Sequence, residues 1–208
     1  TMNRPASRPS DPSSRASDKA GLSDKLFAPG PWVLAALIVV AALTRLLPHP
    51  PNFSPVTAIA LFGGAYFASR GWALLVPLAA LLISDLVMAA AFGGLYAGYF
   101  GGAGMWLVYA CIALTTVLGL GLRGKVNGAR VLGYSLAGST LFFLVTNFGA
   151  WLGNPLYPQN AGGLVASYAA GIPFFQWTVL GTLFYAAALF GGFALLRHRV
   201  SALRAQTV

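Results

Sequence analysis

Apolar residues form six runs along the chain, and short polar or glycine- and proline-rich connections separate them. Five runs approach the ~20 residues that a helix needs to cross a bilayer, and none alternates as a half-buried strand would. The pattern predicts an all-α, polytopic membrane protein of about six transmembrane helices. The second run is the shortest, so we expect its helix to be tilted or partly re-entrant. The predicted spans are residues 31–47, 55–68, 72–92, 103–122, 131–152 and 172–196.

The two ends of the chain differ from this apolar middle. Residues 1–30 are rich in Ser, Pro, Arg, Asp and Lys, and they hold too few large apolar residues to fold alone. The sequence therefore predicts a disordered basic tail over 1–30, a six-helix domain over 31–197 and a short tail over 198–208. Prolines follow the first span where a signal peptide would carry small residues for cleavage, so we expect that span to be retained.

The composition explains why lipid is the expected solvent. The chain is 57% hydrophobic and 8% charged, with a mean hydropathy of +0.72, whereas ordinary globular domains are about 25% charged. The net charge of +9 comes from basic residues at the ends of the apolar runs, not from one basic stripe. The predicted partner is thus a bilayer and not a nucleic acid.

Lysine and arginine occur in every second connection, which predicts the orientation of the spans. Basic residues near span ends are held on the cytoplasmic side during insertion. Six spans with both termini in the cytoplasm reproduce this alternation. The basic residues concerned are Arg4, Arg8, Arg15, Lys19, Lys25, Arg70, Arg123, Lys125, Arg130, Arg197, Arg199 and Arg204.

Two residues of fixed charge, Arg45 and Asp85, fall late in outward-running spans. Each costs roughly 2.5–3.5 kcal/mol on insertion scales if it lies unpaired at the bilayer centre. They could pair with each other. Alternatively, Arg45 reaches the outer headgroups along its flexible stem, and Asp85 caps or pins neighbouring helices.

Further polar and aromatic residues fall at the same predicted depth. Polar groups at membrane depth are tolerated where they line a cavity, so the cluster predicts a pocket in the outer half of the membrane. An interfacial aromatic belt with ordinary wet loops is the alternative, but it explains Asp85 and Asn147 poorly. The predicted substrate-binding residues are Arg45, Asp85, Trp106, Tyr109, Asn147, Trp151 and Gln176.

Catalytic and cofactor chemistry receive little support from the sequence. The chain has no glutamate, and its glycine-rich stretches at 62–67 and 92–104 lack the Lys-Ser/Thr of a phosphate loop. Cys111, the single cysteine, fits a small buried apolar residue, although a thiolate could ligate a metal centre in a corrinoid-like substrate. We therefore predict neither an enzyme nor a bound cofactor.

The chain resembles an uncharacterised bacterial family of six-helix proteins labelled as transport proteins. The residues that carry the resemblance are RLLPHPPNFSPVTAIALFGGAYF (45–67), LLVPLAALLISDLVMAA (74–90), SLAGSTLFFLVTNFGAWL (135–152) and GIPFFQWTVLGTLFYAAALFGGF (171–193). That family is more distantly similar to the S components of energy-coupling-factor (ECF) vitamin transporters. These six-helix proteins capture a micronutrient from outside and are driven by a separate ATPase module.

The resemblance implies a substrate-binding and uptake protein for a small, micronutrient-like molecule in the bacterial cytoplasmic membrane. An energising ATPase module or another membrane protein is the implied partner. The first span lacks the Ala-x-x-x-Ala spacing with which S components dock on that module, so a solitary transporter stays open. The alternative function is a non-catalytic accessory subunit of a larger membrane complex.

Overall fold

The described part of the chain is helical throughout, apart from its connecting loops. The computed structural model describes residues 29–94, 102–200 and 203, and it shows no strand among them. Most of each predicted tail lies outside these residues: 1–28 of the tail over 1–30, and 201, 202 and 204–208 of the tail over 198–208. The all-α prediction is confirmed.

Within the described residues, six helical elements follow the six apolar runs. The helix bounds are α1 Pro29–Leu43, α2 Val56–Tyr66, α3 Arg70–Phe92, α4 Ala103–Gly119, α5 Gly128–Trp151, α6 Ala161–Ala186 and α7 Gly192–Arg199. Helix α1 continues as a 3₁₀ turn over Thr44–Leu46, and α4 continues as a 3₁₀ turn over Leu120–Leu122. Helix α6 continues as a π-helical turn over Ala187–Gly191 that leads into α7, so these three form one element.

Four of the elements are long and apolar enough to cross a membrane: Arg70–Phe92, Ala103–Leu122, Gly128–Trp151 and Ala161–Arg199. Their outward surfaces carry large apolar side chains such as Leu75, Leu86, Val117 and Leu180, which water would disfavour and lipid accepts. The chain is therefore an integral membrane protein. The first element, Gly30–Leu46, is three residues shorter than the shortest of these four, Ala103–Leu122.

Helix α2 is too short to cross by itself. Its 11 residues extend over about 16 Å, roughly half of a ~30 Å hydrocarbon core. Every residue of α2 is buried, and the helix contacts α1, α3, α4, α5 and α6. The shortest apolar run thus forms the centre of the bundle.

The last long helix begins earlier than predicted. We expected a start near residue 172, but α6 begins at Ala161. The side chain of Asn160 accepts a hydrogen bond from the backbone N–H of Gly163 at 3.0 Å and so caps the helix there. Pro173 lies inside the helix, not at its start.

Basic residues gather at one end of the bundle, which we call the basic end. Arg123 donates from Nε to the carbonyl of Gly64 at 3.0 Å and from Nη2 to the carbonyl of Phe67 at 2.6 Å, so it satisfies the last carbonyls of α2. Burial, and secondarily the charge of nearby Arg70, lowers the pKa of Arg123. Arg197 of α7 lies 6.0 Å from the Tyr66 ring centre. The opposite end is called the loop end.

Replacing Arg123 with alanine should destabilise the protein by about 2 kcal/mol, because it leaves buried carbonyls at the end of α2 without donors. The measurement is the thermal unfolding midpoint of the purified protein in mild detergent. Lys125→Ala, at an exposed position two residues away, is the matched control and should change the midpoint little. Equal effects of the two substitutions would contradict this role.

Candidate functional site

Arg45, Ser84, Asp85 and Tyr109 form one hydrogen-bonded cluster. Nη1 of Arg45 lies 2.6 Å from Oδ1 of Asp85 and also donates to the Ser84 hydroxyl at 2.5 Å. The Tyr109 hydroxyl donates to the other carboxylate oxygen, Oδ2, at 3.0 Å. The cluster joins the end of α1 to α3 and α4. It contains three of the seven predicted site residues.

The ion pair lies at membrane depth in the half of the bundle nearer the loop end. Asp85 is about 10 Å from Phe92, where α3 ends, at ~1.5 Å per residue. Its side chain is 0% exposed, and that of Arg45 is 14% exposed, so each charge neutralises the other where solvation is poor. The pairing offered as one sequence interpretation is present. Arg45 Nε and Nη2 donate no hydrogen bond to any described residue.

The connection after Arg45 folds back against α6. The Phe53 ring centre lies 5.8 Å from that of Phe184 and 5.9 Å from that of Tyr185, whose hydroxyl is 2.7 Å from that of Thr44. A Cβ at Gly181 would come within 2.7 Å of the Ser54 nitrogen, so only glycine permits this approach. Residues 47–55 therefore form a loop, called the re-entering loop, that packs beside the last turns of α6.

A cavity of about 180 Å³ lies between the re-entering loop, α5 and α6. Its walls are aromatic and aliphatic, with amide and hydroxyl groups among them. Asn52 enters the wall with a φ of +64°, a left-handed conformation that asparagine tolerates better than most residues. The lining residues are Asn52, Phe142, Phe143, Thr146, Asn147, Ala150, Gly171, Phe174, Phe175 and Thr178.

Asn147 is the predicted site residue that lines this cavity. Its Nδ2 donates to the Phe143 carbonyl at 2.8 Å, and its side-chain oxygen accepts no hydrogen bond from the described residues. A Cβ at Gly171 would collide with the Asn147 amide, so glycine at that position leaves room for it. The Asn52 amide likewise makes no hydrogen bond with described residues. Two amide groups thus retain hydrogen-bonding capacity at one cavity.

Trp151 has a structural role in the connection between α5 and α6. Its Nε1 donates to the Pro158 carbonyl at 2.9 Å, and its own carbonyl accepts from Nε2 of Gln159 at 2.8 Å. Oε1 of Gln159 accepts in turn from the Gly153 N–H at 3.0 Å. These bonds fix the path of residues 152–160.

The remaining predicted residues lie apart from both groups. Trp106 is 62% exposed, and its ring centre lies 6.5 Å from that of Tyr109 in the ion-pair cluster. Gln176 is exposed on α6 and does not line the cavity. The seven residues therefore do not share one pocket: Arg45, Asp85 and Tyr109 form the cluster, and Asn147 lines the cavity.

Asn52 and Ser84 are not among the seven predicted binding residues, although the predicted topology places Asn52 in the first outer loop. An asparagine after two prolines in PPNFSP is a signal for a left-handed turn, but nothing in the sequence places that turn beside Asn147. Cys111 is fully buried, and no group of three His, Cys, Asp or Glu that could hold a metal occurs among residues 29–94 and 102–200.

The fold and these sites define a polytopic helical membrane protein with a buried ion pair and a small polar-aromatic cavity at its loop end. The chain belongs to DUF6580, a family of unknown function, which matches residues 25–203. No curated protein matches the chain. No solved structure matches it either.

Proposed function

We propose that this protein binds a small polar molecule in the loop-end cavity as the capture step of uptake across the bacterial cytoplasmic membrane. The observation that carries the proposal is the pair of amides, Asn52 and Asn147, in a cavity with aromatic walls. Ligand sites combine apolar walls with a few polar groups that fix orientation. Amides both donate and accept, so they suit a neutral ligand with amide, carbonyl or hydroxyl groups.

The size of the cavity supports a small ligand. Its volume of about 180 Å³ is below the ~300–1,000 Å³ of sites for drug-sized molecules. A micronutrient-sized fragment fits such a volume better than a peptide or a lipid does. No catalytic step is assigned to the site.

The ion pair supports this proposal as an anchor. Arg45 lies two residues before the start of the re-entering loop, and its bond to Asp85 holds this end of the loop against α3. Thr44 and Phe53 hold it against Tyr185 of α6. With the basic end in the cytoplasm, as the arginine distribution favours, the cavity belongs to the outer half of the membrane.

The test is mass spectrometry of small molecules released from full-length protein that has been gently extracted in detergent. We expect Asn147→Leu to lower the amount of the retained molecule about tenfold, because it removes a hydrogen-bonding group and fills the cavity. Gln176→Leu is the matched control: it also changes an amide to leucine on the same bundle, but outside the cavity. It should retain the wild-type amount. Absence of any specific small molecule, or equal loss in both variants, would count against the proposal.

A second candidate is the accessory subunit of a larger membrane complex. The observation in its favour is the outer face of α5, where Gly133 and Ala137 are exposed and nothing lies within 4 Å of a Cβ built at Gly133. Small residues at four-residue spacing allow a second helix to approach closely. Recovery of a stoichiometric protein partner, lost in Gly133→Leu, with no retained small molecule, would favour this role.

A further inference from the structure

A second, larger cavity opens at the basic end and shares no lining residue with the loop-end cavity. We call it the slot. Its volume is about 880 Å³, and it lies between α5 on one side and α6, the π-helical turn and α7 on the other. Val131, Leu183 and Phe190 line its walls, and Arg197 and His198 lie at its outer end.

The slot is long and follows one wall of helices. From His198 to Leu183 along α7 and α6 it extends over about 22 Å at ~1.5 Å per residue. This length exceeds one half of the ~30 Å hydrocarbon core, so the slot extends from the basic interface past the depth of one leaflet. Its aliphatic and aromatic walls match a hydrocarbon chain lying along α6.

The charge around the slot favours an anion at its outer end. Arg197 and His198 line it, and Arg199, Arg123 and Lys125 belong to the same end of the bundle. Basic residues at a membrane surface attract anionic lipid headgroups.

The helix that forms the slot departs from α-helical geometry at the slot itself. The π-helical turn Ala187–Gly191 contributes Ala187, Phe190 and Gly191 to the lining. Single π turns inside α-helices are frequent at functional sites. The residues of this π-helical turn are small except Leu189 and Phe190, so the wall of the slot leaves space between α5 and α6 here.

We propose that the slot binds one anionic phospholipid of the surrounding leaflet, with its phosphate at Arg197 and His198 and one acyl chain along α6 toward Leu183. An apolar channel longer than one leaflet, with a cationic entrance, is complementary to a molecule that has an apolar tail and an anionic head. The cavity at the loop end has neither feature. Lipid binding here is independent of the small-molecule capture proposed above.

The test is native mass spectrometry of delipidated, full-length protein titrated with phosphatidylglycerol, with phosphatidylcholine of identical chains as the zwitterionic probe. We expect tighter retention of phosphatidylglycerol. Arg197→Gln should weaken that retention about fivefold, and Arg199→Gln, an exposed arginine that does not line the slot, should change it less. Ala187→Trp, which fills the slot, should weaken both lipids, whereas Ala188→Trp, exposed but outside the lining, should weaken neither.

Three results would overturn the proposal. Equal retention of the two lipids would remove the role of the cationic entrance. Equal behaviour of the tryptophan variants at 187 and 188 would place the bound lipid elsewhere on the bundle. Retention of lipid only after residues 1–28 have been removed would show that the chain's own segment occupies the slot. If Arg197→Gln unfolds, Arg197→Lys replaces it. This variant keeps the positive charge and should keep the preference for phosphatidylglycerol.

Discussion

Asp85→Leu should destabilise the protein by about 3–5 kcal/mol, because it leaves the Arg45 guanidinium without its counter-ion at membrane depth. The carboxylate is fully buried and accepts from both Arg45 and Tyr109, so the substitution removes two of the three hydrogen bonds that join this cluster to α3 and leaves only the bond from Arg45 to Ser84. The measurement is the free energy of unfolding in detergent micelles, from denaturant titration followed by tryptophan fluorescence.

A double variant distinguishes the effect of losing the ion pair from the effect of changing side-chain packing at the same positions. Arg45→Met with Asp85→Leu removes both charges, and replacing a buried pair by apolar residues is often neutral or stabilising. We therefore expect the double variant to recover most of the stability that Asp85→Leu loses. Ser84→Ala, which removes a single acceptor of Arg45, should cost about 1 kcal/mol. A double variant as unstable as Asp85→Leu would show that the charges are not coupled.

Gly64→Ala should destabilise the protein by about 3 kcal/mol or prevent its folding, although alanine ordinarily favours a helix over glycine. A Cβ at Gly64 would collide with the backbone of Thr116 and come within 2.9 Å of the Gly119 Cα. The reciprocal contact, from Gly119 to the Leu61 Cα, is also 2.9 Å. Neither backbone can move without separating α2 from α4.

Gly133→Ala is the matched control for this prediction. It makes the same chemical change in a helix of the same bundle, but nothing lies within 4 Å of the added Cβ. We expect it to leave stability unchanged or to raise it by up to about 1 kcal/mol, the ordinary helix preference. The recovered yield of folded protein on size-exclusion chromatography and the unfolding midpoint distinguish the two. A tolerated Gly64→Ala would mean that α2 and α4 can move apart to accept a Cβ between them.

The two cavities have different chemistry because they lie at opposite ends of the same helix pair. The loop-end cavity combines asparagine amides with aromatic rings, whereas the slot combines aliphatic walls with an arginine and a histidine. The first is suited to a small neutral molecule and the second to an anionic lipid. Since they share no residue, Asn147→Leu and Ala187→Trp should affect different ligands, and each proposal can fail without the other.

The sequence by itself determined the elements and the distribution of charge. The length of an apolar run determines whether its helix can span a bilayer, and this length can be read from the local sequence. The first and last residues of α3 to α6 were therefore predictable to within a few residues at most helix ends. The short run that became α2 was recognisable as unusual for the same reason. The extension of α6 back to Ala161 was missed, because its start depends on the Asn160 cap and not on hydropathy.

Only the tertiary structure decided which polar groups meet. Arg45 and Asp85 are on different helices, and their contact depends on how each helix is rotated about its axis, which run length does not constrain. The same rotation turned Gln176 away from the cavity that Asn147 lines. The position of Asn52 depends on a non-helical loop. The path of this loop is set by the close approach of its backbone to Gly181 of α6 and by the packing of the Phe53 ring against Phe184. Hydropathy reports the depth of a residue, whereas a binding site also requires the direction in which its side chain points, and packing between helices sets that direction.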